Sequence, residues 1–236
     1  MERVAKMEQP ETTEEQGLPG VLPVFPLTGS LLLPGNWMPL NVFEPRYRSM
    51  VADAMEGSRH IGMIQPFVPR QDNWPALEEP PENPRLYRVG CAGRIERCEP
   101  QADGRYVILL RGVSRFRVRD ELPSERGYRR VAAEYGEFAA DLGEAAANLD
   151  PAALLCALER FSRAHQLTFD FDVLGALPGI SLLNGLAVAL PFRPEEKQAL
   201  LEAPSTAERE ALLLALMEMG IEPGSSEGHY APPTLH

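Results

Sequence analysis

The sequence predicts an α+β fold, in which a small, mainly antiparallel β-barrel or sandwich is followed by a C-terminal helical subdomain. Between Tyr87 and Tyr135, short apolar or alternating runs are separated by turn residues, a pattern typical of a small barrel or sandwich. After Phe138 the apolar residues recur at helical spacing instead. The 236 residues are enough for one large domain or two small ones.

Changes in composition divide the chain into successive segments. Residues 1–17 are acidic and lack periodicity, and residues 221–236 are rich in glycine, serine and proline, so we expect flexible tails. The barrel is predicted within residues 18–138 and the helical subdomain within residues 150–220. Residues 139–149, which are rich in alanine, glycine and acids, are interpreted as a linker.

The N-terminal part of the predicted barrel is apolar but repeatedly interrupted by prolines. Because proline cannot donate to a strand ladder, VLPVFPL and WMPLNVF are predicted to be short edge strands. The segment LTGSLLLPG between them is predicted to be an irregular crossing.

A helix is predicted to begin at Pro45, whose fixed φ suits the first helical position. The residues of its buried stripe follow at the spacing i, i+3, i+4 and i+7: Tyr47, Met50, Val51 and Ala54. Gly57 is a natural C-terminal stop for this helix.

The stretch FEPRYRSM is interpreted as a structural corner formed by Glu44, Pro45, Arg46, Tyr47 and Arg48. The helix dipole favours Glu44 but disfavours the two arginines of the first turn, so we expect Glu44 to pair with one of them. Tyr47 is expected to pack inward. A lone carboxylate with no second acid or histidine nearby in sequence is a poor candidate for acid–base catalysis.

The segment RHIGMI is predicted to be a short strand, and residues 65–86 a long proline-rich loop that contains Trp74. Loops of this length in compact domains are usually functional or disordered. YRVGCAGRIERC and RYVILLRG are predicted to be strands joined by a hairpin at Asp103-Gly104. SRFRVRD and YRRVAAEY are predicted to be the next two strands.

The helical part begins with Asp150 as N-cap and Pro151 as first helical residue. ISLLNGLAVAL is predicted to be a buried helix, and EEKQALLE a short helix that Pro194 opens. Ser205 and Glu208 have the spacing of a capping box ahead of the helix ALLLALMEMG. The predicted stripe of the first of these helices consists of Leu154, Leu155, Leu158 and Phe161.

Composition argues for a reduced, cytoplasmic protein. The three cysteines form no C-x-x-C pair, and the four histidines lie far apart, so we expect free thiols and no metal site. No apolar run reaches a membrane-spanning length, and residues 1–17 contain no apolar signal region. With 23 basic and 34 acidic residues, the net charge of −11 disfavours nucleic acid as a partner.

The sequence contains patterns of catalytic motifs without the secondary structure that these motifs require. GSSEG at 224–228 resembles a nucleophile elbow but lies in a polar tail without the required strand and helix. No P-loop is present, so no cofactor of that class is expected. Lys197 and Ser205 do not suggest a Ser-Lys dyad, because we interpret Ser205 as a helix cap and Lys197 as an exposed helix residue.

A basic strand supports an alternative. In SRFRVRD, Phe116 and Val118 alternate with Arg115, Arg117 and Arg119, which would form one charged face. Such a face beside aromatic residues is able to track RNA. Pairing of these arginines with acids elsewhere in the chain is the favoured explanation, given the net charge of −11.

The order of motifs resembles the N-terminal substrate-binding domain of Lon-type ATP-dependent proteases. The resemblance runs from about Leu18 to Met217, and its most specific parts are the F-E-P-R-Y corner and the block DGRYVILLRGVSRFRV. It implies a PUA-like pseudo-barrel with a helical subdomain and a role in recognising polypeptides or degrons. Since the ATPase and protease modules of that family have no counterpart in the sequence, we expect a stand-alone module that is not an enzyme.

The leading hypothesis is therefore a peptide- or protein-recognition module without cofactor or membrane association. Candidate contact residues, chosen for aromatic character and loop position, are Trp37, Phe67, Trp74 and Tyr87. Two alternatives stay open: an RNA-binding PUA-like protein, and an adaptor that works in trans with a separate protease.

Overall fold

The computed structural model describes residues 17–67, 84–124, 126–143 and 149–221. Within these ranges the strands are β1 (Val21–Pro26), β2 (Trp37–Val42), β3 (His60–Ile64), β4 (Val89–Pro100), β5 (Tyr106–Leu122) and β6 (Arg129–Glu134). The α-helices are α1 (Pro45–Glu56), α2 (Pro151–His165), α3 (Phe171–Gly175), α4 (Gly179–Ala189), α5 (Pro194–Glu202) and α6 (Thr206–Ile221). A 3-10 helix, Gly136–Leu142, connects β6 to the helical part.

The six described strands form one mixed, mostly antiparallel sheet that closes on itself. Their order is β2-β5-β4-β3-β1-β6, and β6, at the end of this order, also pairs with β5, which closes the barrel. Only the β1–β3 pairing is parallel among those described. The predicted α+β fold with a pseudo-barrel followed by helices is thereby confirmed.

Closure depends on the length of β5. The first part of this 17-residue strand pairs with β2 through Tyr106–Arg111, and its last part pairs with β6 through Arg117–Leu122. The separate strands predicted for RYVILLRG and SRFRVRD are therefore wrong: they are one strand. The register with β4 shifts between Ala92 and Gly93, so Val113 is an extra residue, a β-bulge that bends β5.

Gly112 is required where residues 27–36 cross β5. Its N–H donates to the carbonyl of Asn36, and its carbonyl accepts from the N–H of Gly35, both at 2.9 Å. A Cβ atom on Gly112 would lie 2.1 Å from the carbonyl oxygen of Leu33. The crossing is irregular, as predicted, and it lies directly on the strand backbone.

The barrel interior is organised around Phe116. Its fully buried ring packs with the other members of a small apolar cluster: Leu22, Val24, Ile64, Ala92, Val118, Val131 and Ala133. A Cβ atom on Gly62 or Gly90 would come within 2.9 or 2.6 Å of the Phe116 ring. Two adjacent strands therefore leave out a side chain to admit one aromatic ring.

A second, larger cluster joins the other face of the sheet to the helices. Tyr47, Met50, Val51 and Ala54 of α1 are buried in it, which confirms the predicted stripe. The predicted caps are also present: the Asp150 carboxylate accepts from the N–H of Ala153 at 3.0 Å, and Ser205 Oγ accepts from the N–H of Glu208 at 3.2 Å.

Arg115 joins the barrel to the helical part. Its Nε and Nη2 each lie 2.9 Å from a different oxygen of Asp141, in the 3-10 helix. Its Nη1 donates to the carbonyls of Leu201 and Ala203 at the end of α5. With 3% of its surface exposed, Arg115 does not belong to an outward charged row. The 3-10 helix also means that residues 139–142 of the predicted linker are helical; the remaining predicted boundaries stay predictions.

We expect Gly112→Ala to destabilise the protein by roughly 1–3 kcal/mol, because a methyl group would overlap the Leu33 carbonyl. Gly185→Ala is the control, since a Cβ atom there meets nothing within 4 Å inside α4. Alanine should leave stability unchanged or raise it by up to about 1 kcal/mol. Urea unfolding followed by circular dichroism measures both; equal midpoints would contradict the close crossing.

We expect Asp141→Asn to cost roughly 3–5 kcal/mol of unfolding free energy, because it leaves the buried charge of Arg115 without its counter-ion. Glu137→Gln is a matched control on the same 3-10 helix. Glu137 pairs with Arg117, but their side chains are 52% and 43% exposed, so we expect a loss of only about 0–1 kcal/mol. Similar losses for both variants in chemical denaturation would overturn the special role of Arg115.

Candidate functional site

One face of the β2–β5 ribbon exposes apolar side chains. Trp37, Pro39 and Asn41 of β2 pair with Arg111, Leu109 and Val107 of β5, and they lie on the face opposite the large apolar cluster. We call Trp37, Pro39, Phe43, Val107 and Leu109 the apolar face. Trp37 is 54% exposed, and Phe43 and Val107 are also exposed. Among the described strands β2 pairs with β5 alone, so its outer edge is open.

The structure separates the other aromatic candidates from Trp37. The rings of Phe67 and Tyr87 meet edge to face, with centroids 5.3 Å apart. In the strand register Trp37 lies opposite Arg111, whereas Val89, two residues after Tyr87, lies opposite Arg117. Arg111 and Arg117 are six residues apart on β5, so at 3.3 Å per residue the two aromatic sites are separated by about 20 Å. Trp74 lies outside the described residues. The four candidates thus do not form one site in the part of the chain described.

The predicted corner surrounds a buried tyrosine. Tyr47 stacks on Phe25 with ring centroids 4.2 Å apart, and the Arg46 guanidinium lies 4.7 Å from the Tyr47 centroid. Glu44 accepts from Arg46 Nε at 2.9 Å, but both side chains are exposed, so this pair contributes about 0–1 kcal/mol. Most of the stability of the corner therefore comes from Tyr47.

The rest of the corner connects α1 to a hairpin turn. Pro45 is the first residue of α1. The Arg48 guanidinium packs against Gly104, where a Cβ atom would lie 2.5 Å from Arg48 Nη2. The structural role of the five corner residues stays a prediction that this geometry supports.

A cleft of about 1150 Å³ lies between the barrel and the helical part. Its walls come from β3, β4, β5, the crossing segment, the 3-10 helix, α4 and the start of α6. Its lining contains four arginines and two acids: Arg94, Arg111, Arg115, Arg209, Glu96 and Asp141. With His60 neutral, 4 − 2 gives a local charge of +2 in a chain of net charge −11.

A cross-strand row links this cleft to the apolar face. In the strand register, His60 lies opposite Arg94, Arg94 opposite Arg111, and Arg111 opposite Trp37. The four side chains therefore share one face of the sheet. Within the described ranges, neither Arg94 nor Arg111 has an ion pair or a side-chain hydrogen bond. The Arg111 guanidinium lies 5.9 Å from the Trp37 ring centroid. Arg111 therefore belongs to both surfaces.

Arg209 of α6 is buried in the wall of the cleft. Its Nε donates to the carbonyl of Leu200 and its Nη1 to Asn184 Oδ1, both at 3.0 Å. Its Nη2 has no hydrogen-bond partner among the described residues, although only 2% of the side chain is exposed. Burial, and next the charge of Arg115, lower the pKa of Arg209 to about 10.

His60 also lies at the cleft and is buried. Its Nδ1 is 2.7 Å from the carbonyl oxygen of Ser58, which makes Nδ1–H the donor. Burial is the main reason that the pKa of His60 is lowered, and the charge of Arg94 acts in the same direction. The neutral imidazole is therefore favoured.

The arginine row proposed for RNA is largely neutralised. Arg115 is buried against Asp141, and Arg117 Nε lies 2.6 Å from Glu137. Arg119 is exposed and lies 3.4 Å from Asp120. These contacts leave no continuous row of unpaired charge along this strand.

Lys197 is half-buried, so its prediction as an exposed residue is wrong. Its Nζ donates to the carbonyl of Val188 at 3.1 Å, and burial lowers its pKa. The turn between α4 and α5 folds α5 back so that the lysine reaches this carbonyl. GSSEG lies outside the described residues.

The described residues contain no cluster of metal ligands and no membrane-spanning helix. No three of their histidine, cysteine, aspartate or glutamate side chains converge as metal ligands. In the same ranges, none of the helices combines the length and the apolar character needed to cross a bilayer.

Sequence reasoning missed Arg94, Arg111 and Arg209. Arg94 and Arg111 stand singly inside apolar runs, GRI and LLRG, and only the strand register brings them side by side. Arg209 stands in the polar stretch STAERE, which gives no signal of burial. Its burial follows from the packing of α6 against α4 and α5.

Residues 21–219 match the substrate-binding domain of ATP-dependent protease La (LON), so the chain belongs to this family. Lon protease 2 of Myxococcus xanthus is 28% identical over 223 residues, which are 89% of this chain and 25% of that protein. Lon protease of Anaeromyxobacter dehalogenans is 30% identical over 128 residues, which are 54% of this chain and 14% of that protein. The chain spans a quarter or less of these relatives.

Solved structures agree with this family. The crystal structure of a Lon N-terminal domain protein from Xanthomonas campestris has a TM-score of 0.55 and 27% identity, covering 83% of this chain and 97% of that one. The N-terminal domain of a Mycobacterium avium complex Lon protease has a TM-score of 0.54, covers 84% and 98%, and at 20% identity supports the fold. The family resemblance carried by the sequence motifs is confirmed.

We expect His60 to make the protein less stable as the pH falls below about 6.5, its ordinary pKa. Because the folded state holds the pKa of His60 lower, the unfolded chain takes up the proton first, and acidification favours unfolding. His60→Gln removes this titration. Wild type should lose more unfolding free energy than the variant between pH 7.5 and pH 5 in urea titrations. Parallel pH profiles would show that His60 is not held neutral.

Proposed function

We propose that this chain is a non-enzymatic module that recognises extended polypeptide, such as an unfolded segment or a degron, through the apolar face. The observation that carries this proposal is a row of exposed apolar side chains beside the open edge of β2. Membership of a substrate-binding domain family supports it.

The apolar face matches the two features that an unfolded segment exposes. An extended peptide presents unpaired backbone N–H and C=O groups, which are able to add a strand to an open edge. It also presents alternate side chains on one side, at the same two-residue period as Trp37 and Pro39. Pro39 removes one backbone donor from β2, which limits pairing of this edge with long foreign strands.

The side chains whose chemistry is typical of catalysis have other roles in this structure. Ser205 Oγ accepts from the backbone of α6, and Lys197 Nζ donates to Val188. Burial raises the pKa of the Cys91 thiol, which disfavours the nucleophilic thiolate. These contacts support a binding role, and the matched family region is the substrate-binding domain.

The setting of the proposal is a reducing compartment, for which we propose the cytoplasm. Cys91, Cys98 and Cys156 are all free, and Cys156 is exposed.

In the adaptor version of the proposal, a separate protease acts in trans on the bound polypeptide. Co-elution of the purified protein with such an enzyme tests that version. RNA is a weaker candidate because the basic strand is mostly paired with acids.

We expect Trp37→Ala to weaken binding of a reduced, carbamidomethylated and therefore unfolded protein by at least about tenfold, the effect typical of an aromatic hot spot. Isothermal calorimetry or fluorescence anisotropy measures the affinity. Met219→Ala is the matched control, because Met219 has the same exposure, 55% against 54%, but lies on α6.

Two results would contradict this proposal. One is the absence of binding of the unfolded protein by wild type. The other is an equal affinity of the Trp37 and Met219 variants, which would place binding outside the apolar face. Phe67→Ala in the same assay tests the second aromatic pair, Phe67 and Tyr87.

A further inference from the structure

We propose that the cleft between the barrel and the helical part binds a carboxylate of the polypeptide that lies on the apolar face. The carboxylate is either a free C-terminus or an acidic side chain. This inference rests on the proposed function, because the apolar face supplies the rest of the contact.

The first support is the pair Arg94 and Arg111. They are register neighbours on adjacent strands, and like charges directly opposite each other are destabilising. Within the described residues no carboxylate pairs with either of them. Two adjacent guanidinium groups that no described carboxylate pairs with offer the charge and the N–H donors that a carboxylate requires.

The second support is the inner wall of the cleft. Arg209 is buried there, its Nη2 has no acceptor among the described residues, and neither of its two partners carries a charge. The N-terminus of α6 lies beside it, since Ser205, Thr206 and Ala207 line the same cleft. A buried cation and the positive end of a 16-residue helix both favour an anion in this space.

These groups have different roles. Arg94 and Arg111 are exposed and are the side chains that we expect to contact the carboxylate. Arg209 Nη2 is closed to solvent, so Arg209 acts through its charge and positions the α6 terminus through Leu200 and Asn184. Arg115 is already saturated by Asp141 and two carbonyls.

Continuity with the apolar face favours a polypeptide as the source of the anion. Arg111 lies 5.9 Å from the Trp37 ring and also lines the cleft, so one extended chain is able to span both surfaces. A nucleic acid would need a basic track along which successive phosphates lie. Arg94 and Arg111 instead form a short row across the strands, on a protein of net charge −11.

The test uses a short fluorescein-labelled apolar peptide in four forms, measured by anisotropy at low salt. The forms are a free C-terminal carboxylate, a C-terminal amide, an amide with one internal Asp, and an amide with Asn at that position. We expect at least one carboxylate form to bind about tenfold or more tightly than its neutral counterpart, the factor for one charge-assisted hydrogen bond. The form that gains affinity identifies the source of the carboxylate.

In the double variant Arg94→Gln and Arg111→Gln, the affinity for the carboxylate peptide should fall to the affinity for its neutral counterpart. The control is Arg97→Gln with Arg119→Gln, which makes the same change in net charge at exposed positions that do not line the cleft. Circular dichroism verifies that both proteins are folded. Arg111→Lys keeps the charge and should retain part of the preference.

Each outcome is decisive. Equal affinities for charged and neutral peptides, with Trp37→Ala still weakening both, would overturn the carboxylate site and leave the proposed function in place. Equal losses in the two double variants would also overturn it, because the effect would then be one of net charge. Tight binding of a short RNA that depends on Arg94 and Arg111, without any peptide binding, would overturn both proposals.

Discussion

The contact on which the arrangement of this molecule depends is the buried ion pair of Arg115 and Asp141. All three nitrogens of the guanidinium have acceptors, two on Asp141 and two backbone carbonyls at the end of α5. Asp141 also accepts from the backbone N–H of Arg115. A buried pair adds little net stability over apolar packing, but its geometry is strict. It therefore fixes the position of α5 and the following turn relative to β5, and this position determines the width of the cleft.

The second constraint is the bent strand β5, which is shared by the barrel and the β2 ribbon. Leu110 belongs to the large cluster and Phe116 to the barrel interior, although residues six apart in a regular strand lie on the same face. The bulge at Val113 produces this change of face. Because of this bulge, the first half of β5 packs against α1 and the helical part, and its second half fills the barrel interior.

The sequence predicted what local rules determine, and it failed where distant parts of the chain meet. The start of α1 at Pro45 and the cap of α2 at Asp150 follow from short-range preferences, and both were predicted. An alternation of apolar and charged residues does not reveal a one-residue bulge, so the sequence predicts two strands where the structure has β5 alone. The alternation in the sequence places Arg115 in an outward row, because its buried partners come from 26 to 88 residues away. The row of Arg94 and Arg111 exists only through strand register.

The distribution of charge makes the cleft a favourable binding site for an anion. The chain has 34 acids and 23 lysines and arginines, so potential partners for an arginine are abundant. Arg115, Arg117, Arg129, Arg160 and Arg193 each have a carboxylate partner. In the part of the chain described, several arginines, Arg59 and Arg97 among them, have no carboxylate partner, and three of these, Arg94, Arg111 and Arg209, line one cleft. Unpaired cations held together in an acidic protein reduce its stability, and a bound anion would relieve that repulsion. Since the same arginine that borders the cleft also packs beside Trp37, the anion and the apolar segment are most simply parts of one extended chain.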